Sequence, residues 1–305
     1  MILNVSSIKS FQRCRLRWYF EWQMDRVPRI GNVALEFGKL LHVIFEIHFR
    51  GHPMPEAIRR GRAMWEILAE QCTSESERLA VRDAVEVLDT FREPLSYWQD
   101  RFPIERTLEV ETPFLIHHPY AEEIQIKGRP DRMAVCYGKL FHVQNRSLAG
   151  SKNIGLYSEL ATEDMHELLY AWAMTKKYPD IPYGGTIYNL LRKLRYRSAP
   201  TKAHPEGKQQ RALSELLVQQ AIPIMPAAQE RALHDVVWIA GEMERTIKRA
   251  AEGILPARNR ELDGGWFGNS RDPYWPVITG QATLADEALY KNRDDPYARS
   301  VMEGE

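Results

Sequence analysis

An aspartate follows a proline in the segment Gly128-Arg129-Pro130-Asp131-Arg132, between two stretches in which apolar and polar residues alternate. A carboxylate within an apolar strand pair is costly to bury unless it is paired or bound to a metal ion. Asp131 is therefore either the partner of a neighbouring arginine in a salt bridge or a metal ligand. The segment taken alone favours the salt bridge.

Gln144 and Arg146 stand two residues apart in the next predicted strand, so both side chains are expected on the same face of it. If the turn before this strand is tight, that face lies beside Asp131. An amide oxygen, a carboxylate and a cation would then converge, which suits Mg²⁺ binding and the stabilisation of phosphoryl charge. A solvated polar face on an edge strand would explain the same residues without any chemistry.

Two further pairs of residues are spaced by one helical turn. Gly38 and His42 share a helix face, where the glycine allows close approach and the imidazole offers a nitrogen ligand. His166 and Tyr170 form a similar pair on a helix predicted after the strands. Each pair alone is weak evidence for a functional site, because a lone histidine is more often structural than a metal ligand.

The elements that must position these residues are first helical and then mixed. Apolar periodicity predicts helices after Ser6-Ser7, through Phe37 to Phe45, and at about 54–70 and 75–100. Alternation and turn residues predict strands at 104–117, 122–136, 139–147 and 184–191, with helices at 159–177 and 226–251. This order predicts a mixed α/β or α+β fold. The predicted regions are 1–103 (helical), 104–252 (core) and 253–305 (irregular tail packing on the core), within one structural domain.

The composition limits the classes of function. Lys+Arg and Asp+Glu balance at 41 each, so any contact with nucleic acid must come from a local basic patch. A solvated surface would explain any one basic run, but three runs are candidates for contact with DNA: Arg13, Arg15 and Arg17; Arg59, Arg60 and Arg62; and Arg192, Lys193, Arg195 and Arg197. The apolar runs are too short to span a bilayer, and the first residues do not resemble a signal peptide. No membrane association is therefore expected. Three scattered cysteines suit a reducing cytoplasm better than a disulfide framework.

The order of the motifs is more specific than any one of them. The chain opens with a helix start and Cys14-Arg15-Leu16-Arg17-Trp18, and continues with Gly38 to His42, Glu111, Gly128 to Arg132, Gln144-Asn145-Arg146 and His166 to Tyr170. Over roughly residues 5–192 this series resembles the RecB-like family of the PD-(D/E)XK nuclease superfamily. It looks closest to the versions encoded by tailed bacteriophages, in which a Gln-x-Lys strand recurs.

The resemblance implies a restriction-endonuclease-like core, in which a central mixed sheet is flanked by helices. It implies Mg²⁺ or Mn²⁺ held by His42, Asp131 and Gln144, with Glu111 as an auxiliary acid, and a water that attacks a DNA phosphodiester. Arg146 takes the place of the family lysine, and His166 and Tyr170 contact the DNA backbone or brace the site. The implied activity is that of a metal-dependent deoxyribonuclease. An exonuclease of phage replication or recombination is expected, in the host cytoplasm, with DNA and phage or host replication and recombination proteins as partners.

Three departures from the family pattern leave alternatives open. Gln144 replaces an acid and brings no negative charge, which should weaken metal binding. Arg146 replaces lysine and cannot carry a proton. Some relatives hold an iron–sulfur cluster through one early and three late cysteines, but the segment 266–279 has none, so we expect no cluster and a tail packed on the first helix instead. A weakened nuclease fold that binds DNA or protein, or a purely structural protein, would show the same losses.

Overall fold

A computed structural model describes residues 1–29, 31–96, 98–148, 162–192, 216–256, 274–278 and 280–293. The chain divides into two compact units. One unit comprises Met1–Ile30, Pro113–Gly128 and Glu230–Glu305, and the other comprises Gly31–Thr112 and Arg129–Gln229. No helix within the described ranges combines the length and the apolar character needed to cross a membrane.

The described residues form the following helices and strands. The helices are α1 (Val5–Arg13), α2 (Arg15–Trp18), α3 (Val33–Phe49), α4 (Met54–Gln71), α5 (Glu75–Ser96), α6 (Met165–Lys177), α7 (Pro226–Ala251) and α8 (Trp275–Ile278), with a π-helical turn at Tyr19–Gln23. The strands are β1 (Ile2–Asn4), β2 (Arg26–Pro28), β3 (Ile104–Val110), β4 (Phe114–His118), β5 (Ala121–Gly128), β6 (Arg132–Cys136), β7 (Lys139–Leu148), β8 (Tyr183–Arg192), β9 (Leu217–Ile222) and β10 (Tyr290–Asn292).

The second unit contains a five-stranded mixed sheet in the order β3-β6-β7-β8-β9. β7 and β8 are parallel, and the other neighbours are antiparallel. Helix α3 contacts β7, and α6 contacts β8. This arrangement confirms the predicted fold class, a mixed sheet flanked by helices.

A two-residue turn fixes the register of β6 and β7. Tyr137 and Gly138 both have positive φ angles, of 51° and 66°. Positive φ at both central residues is typical of the type I′ turn, whose twist matches that of the two strands in a tight hairpin. The turn pairs Arg132 with Val143 across the two strands. Asp131, just before β6, is therefore brought beside the middle of β7, as the sequence predicts.

Two predicted strands are each broken in two by the fold. The stretch predicted as a strand at 104–117 forms β3 and β4, and the stretch at 122–136 forms β5 and β6. β3 and β6 pair in the five-stranded sheet, whereas β5 pairs with both β4 and β1 in a separate three-stranded sheet. The first break has Glu111 at a φ of 51°, and the second contains Pro130, which cannot donate to a strand ladder. Both carboxylates of interest, Glu111 and Asp131, therefore lie just outside the strands.

Several other element boundaries also differ from the prediction. β9 was missed, because its residues Leu217–Ile222 alternate only weakly. Helix α6 begins at Met165 with Asp164 as its N-cap, later than the predicted start at 159, and residues 159–161 lie outside the described ranges. Helix α5 ends at Ser96 rather than near 100.

Part of the C-terminal tail packs in the first unit. Tyr274 and Tyr290 are buried in one cluster with Cys14, Leu16 and Phe20. The Phe20 and Tyr274 rings lie 5.1 Å apart, and the Tyr274 hydroxyl donates to the carbonyl of Arg26 over 2.9 Å. The Cys14 thiol is thus enclosed by aromatic side chains. The segment 266–273 lies outside the described residues.

Candidate metal centre

His42, Glu111 and Asp131 place three possible ligand atoms within 4.8 Å of one another. His42 Nδ1 lies 3.3 Å from Asp131 Oδ2 and 3.9 Å from Glu111 Oε1. One imidazole nitrogen and two carboxylate oxygens form a donor set of the kind that holds Mn²⁺ or Mg²⁺. The sequence predicted His42 and Asp131 as ligands and Glu111 as an auxiliary acid. The structure brings these three together.

Three different elements deliver the three side chains. His42 projects from α3, whose N-terminus is capped by the Asn32 side chain. Glu111 lies at the end of β3, where its backbone N–H donates to the carbonyl of Asp131 over 3.0 Å. The Asp131 carboxylate in turn accepts from the backbone N–H of Asn145 over 2.8 Å. One backbone hydrogen bond thus joins the main chains of the two acids, and a second holds the Asp131 carboxylate in place.

The electrostatics of the cluster favour a bound cation. Burial raises the pKa of Glu111, and the nearby charge of Asp131 raises it further, although His42 and Arg129 oppose the shift. Burial would lower the pKa of His42, but Asp131 and Glu111 outweigh it and raise that pKa. Two close carboxylates therefore repel each other, and a proton relieves the repulsion. A divalent ion would relieve it more completely.

Arg129 is the counter-ion of Glu111. Its Nε lies 2.9 Å from Glu111 Oε2, so one carboxylate oxygen is paired while the other faces His42. The Tyr170 hydroxyl fixes the backbone of Arg129, because it donates to the carbonyl over 3.0 Å and accepts from the N–H over 3.2 Å. Tyr170 thus braces the segment that carries Asp131, in keeping with one of the two roles predicted for it.

Gln144 and Arg146 contact each other on β7. Arg146 Nε donates to Gln144 Oε1 over 2.9 Å, and Gln144 is 1% exposed. The amide oxygen that the sequence proposed as a metal ligand is therefore engaged by the guanidinium. Both residues share one face of the strand, as predicted. Gln144 as a metal ligand stays a prediction.

Gly38 was expected to allow close approach of α3. A Cβ placed on Gly38 would lie 4.0 Å from Ser147 Oγ, which is ordinary van der Waals contact. This neighbour on β7 therefore does not require a glycine.

Sequence reasoning missed Glu46, one turn beyond His42 on α3. Burial raises the pKa of Glu46, while Arg50 and Arg129 lower it. Its charge also interacts with His42 and Asp131, so it is a third acid, at the edge of the centre. The helical spacing of Gly38, His42 and Glu46 was the signal that could have found it.

The last run predicted to contact DNA lies almost wholly outside the described residues. The residues outside are Lys193, Arg195 and Arg197. Arg192 is the last residue of β8, and only its backbone is described. His166 is described at the start of α6, where its ring lies 4.3 Å from the Tyr170 ring.

We expect cation affinity to fall as the pH is lowered through neutrality. The pKa values of His42 and Glu111 are both raised, so each holds a proton to higher pH than usual, and the cation must displace these protons. Titrating Mn²⁺ by calorimetry at pH 6, 7 and 8 should show affinity rising with pH and protons released into the buffer. An affinity independent of pH over this range would contradict binding at these residues.

Comparison with known proteins gave one family. A family model described as the PD-(D/E)XK nuclease superfamily matches residues 2–222, which include the whole of the cluster above. No curated protein matches the chain.

Proposed function

The chain belongs to the PD-(D/E)XK nuclease superfamily, and on that premise we propose that it is a Mg²⁺- or Mn²⁺-dependent deoxyribonuclease. Membership of the superfamily indicates a nuclease that acts on DNA and uses divalent metal ions. The observation that carries the proposal for this chain is the convergence of His42, Glu111 and Asp131. A divalent ion bound there would supply Lewis acidity and lower the pKa of an attacking water.

The protein's own residues have separable roles in this proposal. His42, Glu111 and Asp131 bind the cation, and the imidazole ligand should favour Mn²⁺ over Mg²⁺. Arg146 is always charged and can hold a phosphate oxygen, which stabilises charge that develops on the phosphoryl group. Tyr170 positions the Arg129–Asp131 segment through its two backbone hydrogen bonds.

An exonuclease acting in phage replication or recombination is the finer form of the proposal. It is supported by the resemblance of the motif order to RecB-like phage versions. The basic run Arg192, Lys193, Arg195 and Arg197 is proposed to contact DNA, and this role is supported by charge and position in the sequence alone.

A cleavage assay tests the proposal. Linear single-stranded and double-stranded DNA and a closed circular duplex are incubated with the protein and Mg²⁺ or Mn²⁺, with a chelator as control. An exonuclease degrades the linear substrates and leaves the closed circle intact, whereas cutting of the circle would identify an endonuclease. No cleavage of any substrate with either cation would contradict the nuclease proposal.

A DNA-binding protein with a weakened site is the second candidate. The contact that favours it is the hydrogen bond from Arg146 to Gln144, because it joins two residues that depart from the family pattern. Such a protein would bind DNA with a strong salt dependence and leave it uncut. The same incubations, followed by a gel-shift measurement at two salt concentrations, separate the two candidates.

Replacing Gln144 by glutamate should tighten Mn²⁺ binding about tenfold, because an anionic oxygen suits a hard cation better than an amide. The measurement is calorimetric titration of wild type and Gln144→Glu. Gln71→Glu, which adds the same charge at the exposed end of α4, is the matched control and should bind Mn²⁺ as the wild type does. An unchanged affinity in Gln144→Glu would remove Gln144 from the site.

A further inference from the structure

Glu167 on α6 is a completely buried acid that the proposed chemistry does not use. Three groups contact its carboxylate: His142 Nδ1 at 3.1 Å, Thr186 Oγ1 at 3.1 Å and His166 Nδ1 at 3.3 Å. His142 is itself fully buried, whereas the His166 side chain is 12% exposed. The carboxylate thus joins two histidines, one inside the unit and one at its surface.

The cost of burying this carboxylate calls for a role beyond stability. Its neighbours on α6, Leu168 and Leu169, are buried apolar residues, and a leucine at 167 would avoid the desolvation penalty. Burial alone would raise the pKa of Glu167, but His142 and His166 outweigh it and hold the pKa well below its usual range. Glu167 is therefore ionised near neutral pH.

An ionised carboxylate determines the tautomer of the histidines that it contacts. A carboxylate only accepts hydrogen bonds, so each imidazole nitrogen facing it must carry the proton. The contact with His166 uses Nδ1. His166 Nε2 is then left with its lone pair, and it makes no hydrogen bond to any of the described residues.

A chain of contacts links His166 to the metal centre. Its ring packs on Tyr170, whose hydroxyl binds the backbone of Arg129, and Arg129 pairs with Glu111. Burial is the first cause that lowers the pKa of His166, and the nearby charge of Arg146 also lowers it, against the opposing charges of Glu167 and Asp164. The charge of Arg146 also acts on His42. The His166 imidazole is therefore neutral near neutral pH, and it lies within the electrostatic influence of Arg146, the residue at the position of the family lysine.

We propose that Glu167, fixed by His142 and Thr186, is a positioning residue that keeps the proton of His166 on Nδ1, so that His166 Nε2 is the proton acceptor of this site. The proton-acceptor part rests on the nuclease function proposed above. Arg146 cannot take a proton, and a neutral imidazole can.

The step balances as an ordinary hydrolysis. The water oxygen forms a bond to phosphorus while one water proton passes to His166 Nε2. The bond from phosphorus to the leaving sugar oxygen breaks, and that oxygen keeps the electron pair. The leaving oxygen then takes a proton from the His166 imidazolium or from solvent. In the second case the imidazolium gives its proton to solvent, so His166 returns to its neutral form either way.

The tautomer of His166 tests the positioning role without any activity. Protein labelled with ¹⁵N-histidine is measured by long-range ¹H–¹⁵N correlation, and the His166 signals are assigned by their loss in His166→Gln. We expect the Nδ1–H tautomer in the wild type and the Nε2–H tautomer in Glu167→Gln, because a side-chain amide can donate to Nδ1. A wild-type Nε2–H tautomer, or a tautomer unchanged in Glu167→Gln, would overturn the proposal.

Kinetics test the proton-acceptor role. His166→Ala and Glu167→Gln should each lower kcat for DNA cleavage about 10²- to 10⁴-fold with little change in Mn²⁺ affinity. Added imidazole should raise the kcat of His166→Ala at least tenfold and leave the kcat of Asp131→Asn unchanged. Glu163→Gln, the same change at an exposed acid before α6, is the control and should cleave as the wild type does.

The outcomes separate the two proposals. Full activity in His166→Ala beside an active wild type would overturn the proton-acceptor role and leave the nuclease function standing. A wild type that cleaves no DNA would contradict both the nuclease function and proton transfer, and the tautomer measurement would still decide whether Glu167 positions His166.

Discussion

Asp131→Asn is expected to reduce the rate of DNA cleavage about 10³-fold and to weaken Mn²⁺ binding. Asp131 contributes one of two carboxylates within reach of His42 Nδ1, and its loss removes both a ligand atom and a negative charge. Metal ions contribute several kcal/mol to the stabilisation of a hydrolytic transition state, which corresponds to this factor. The measurements are cleavage of linear DNA in the presence of Mn²⁺ and calorimetric titration of the cation.

The asparagine variant should remain folded. Asn145 N–H can donate to the amide oxygen of an asparagine as it does to Asp131 Oδ2, and the backbone bond between Glu111 and Asp131 is unaffected. Asp180→Asn, at an exposed position after α6, is the matched control. If Asp131→Asn cleaved DNA at the rate of this control, Asp131 would not be part of the active site.

Glu111→Gly should yield a more stable protein than Glu111→Ala by about 1 kcal/mol, although both lose the same ligand. Glu111 has a φ of 51°, which a glycine adopts without the steric cost that a Cβ imposes. Both variants should bind Mn²⁺ about 10- to 100-fold more weakly and lose cleavage in parallel. The free energy of unfolding is measured by urea denaturation.

Glu123 provides the comparison in ordinary strand geometry. It is an exposed residue in β5 with a φ outside the positive range, where alanine should be more stable than glycine by about 0.5–1 kcal/mol. The sign of the glycine-to-alanine difference should therefore reverse between positions 111 and 123. An alanine more stable than glycine at 111 would mean that the backbone there is not strained.

The sequence predicted the fold class and the PD-(D/E)XK superfamily because several weak motifs occur in one order. The hairpin turn at Tyr137-Gly138 and the strand that follows it are local features, so their conformation and register could be predicted. The approach of Asp131 to that strand followed from the same register. Helical spacing placed His42 on one face with Gly38, whereas its meeting with Asp131 was implied by the family resemblance.

The breaks in two long strands could not be predicted from local patterns. The alternation of residues 104–117 continues through Glu111, and the division between two sheets depends on partners far along the chain. Glu111 could therefore be named as an auxiliary acid but not placed at a left-handed turn beside Asp131. The break is what frees its carboxylate from a strand face.

The buried acid Glu167 could not be recognised from the sequence either. Its partners His142 and Thr186 come from two other strands, β7 and β8, and no spacing along the chain joins them. From the sequence alone, a glutamate next to a motif histidine is expected to be a solvent-exposed helix residue. Only the packing of α6 shows that it is buried. Glu46 differs, because its one-turn spacing from His42 was visible in the sequence.

Crystallography with Mn²⁺ is the most direct test of the central claim, that His42, Glu111 and Asp131 form a divalent-metal site. Crystals grown with Mn²⁺ are measured near the manganese absorption edge, with Asp131→Asn crystals as control. We predict an anomalous peak within about 2.5 Å of a His42 ring nitrogen and of one carboxylate oxygen from each of Glu111 and Asp131, and a much weaker peak in the variant. Manganese bound elsewhere, or an equally strong peak in Asp131→Asn, would contradict the claim.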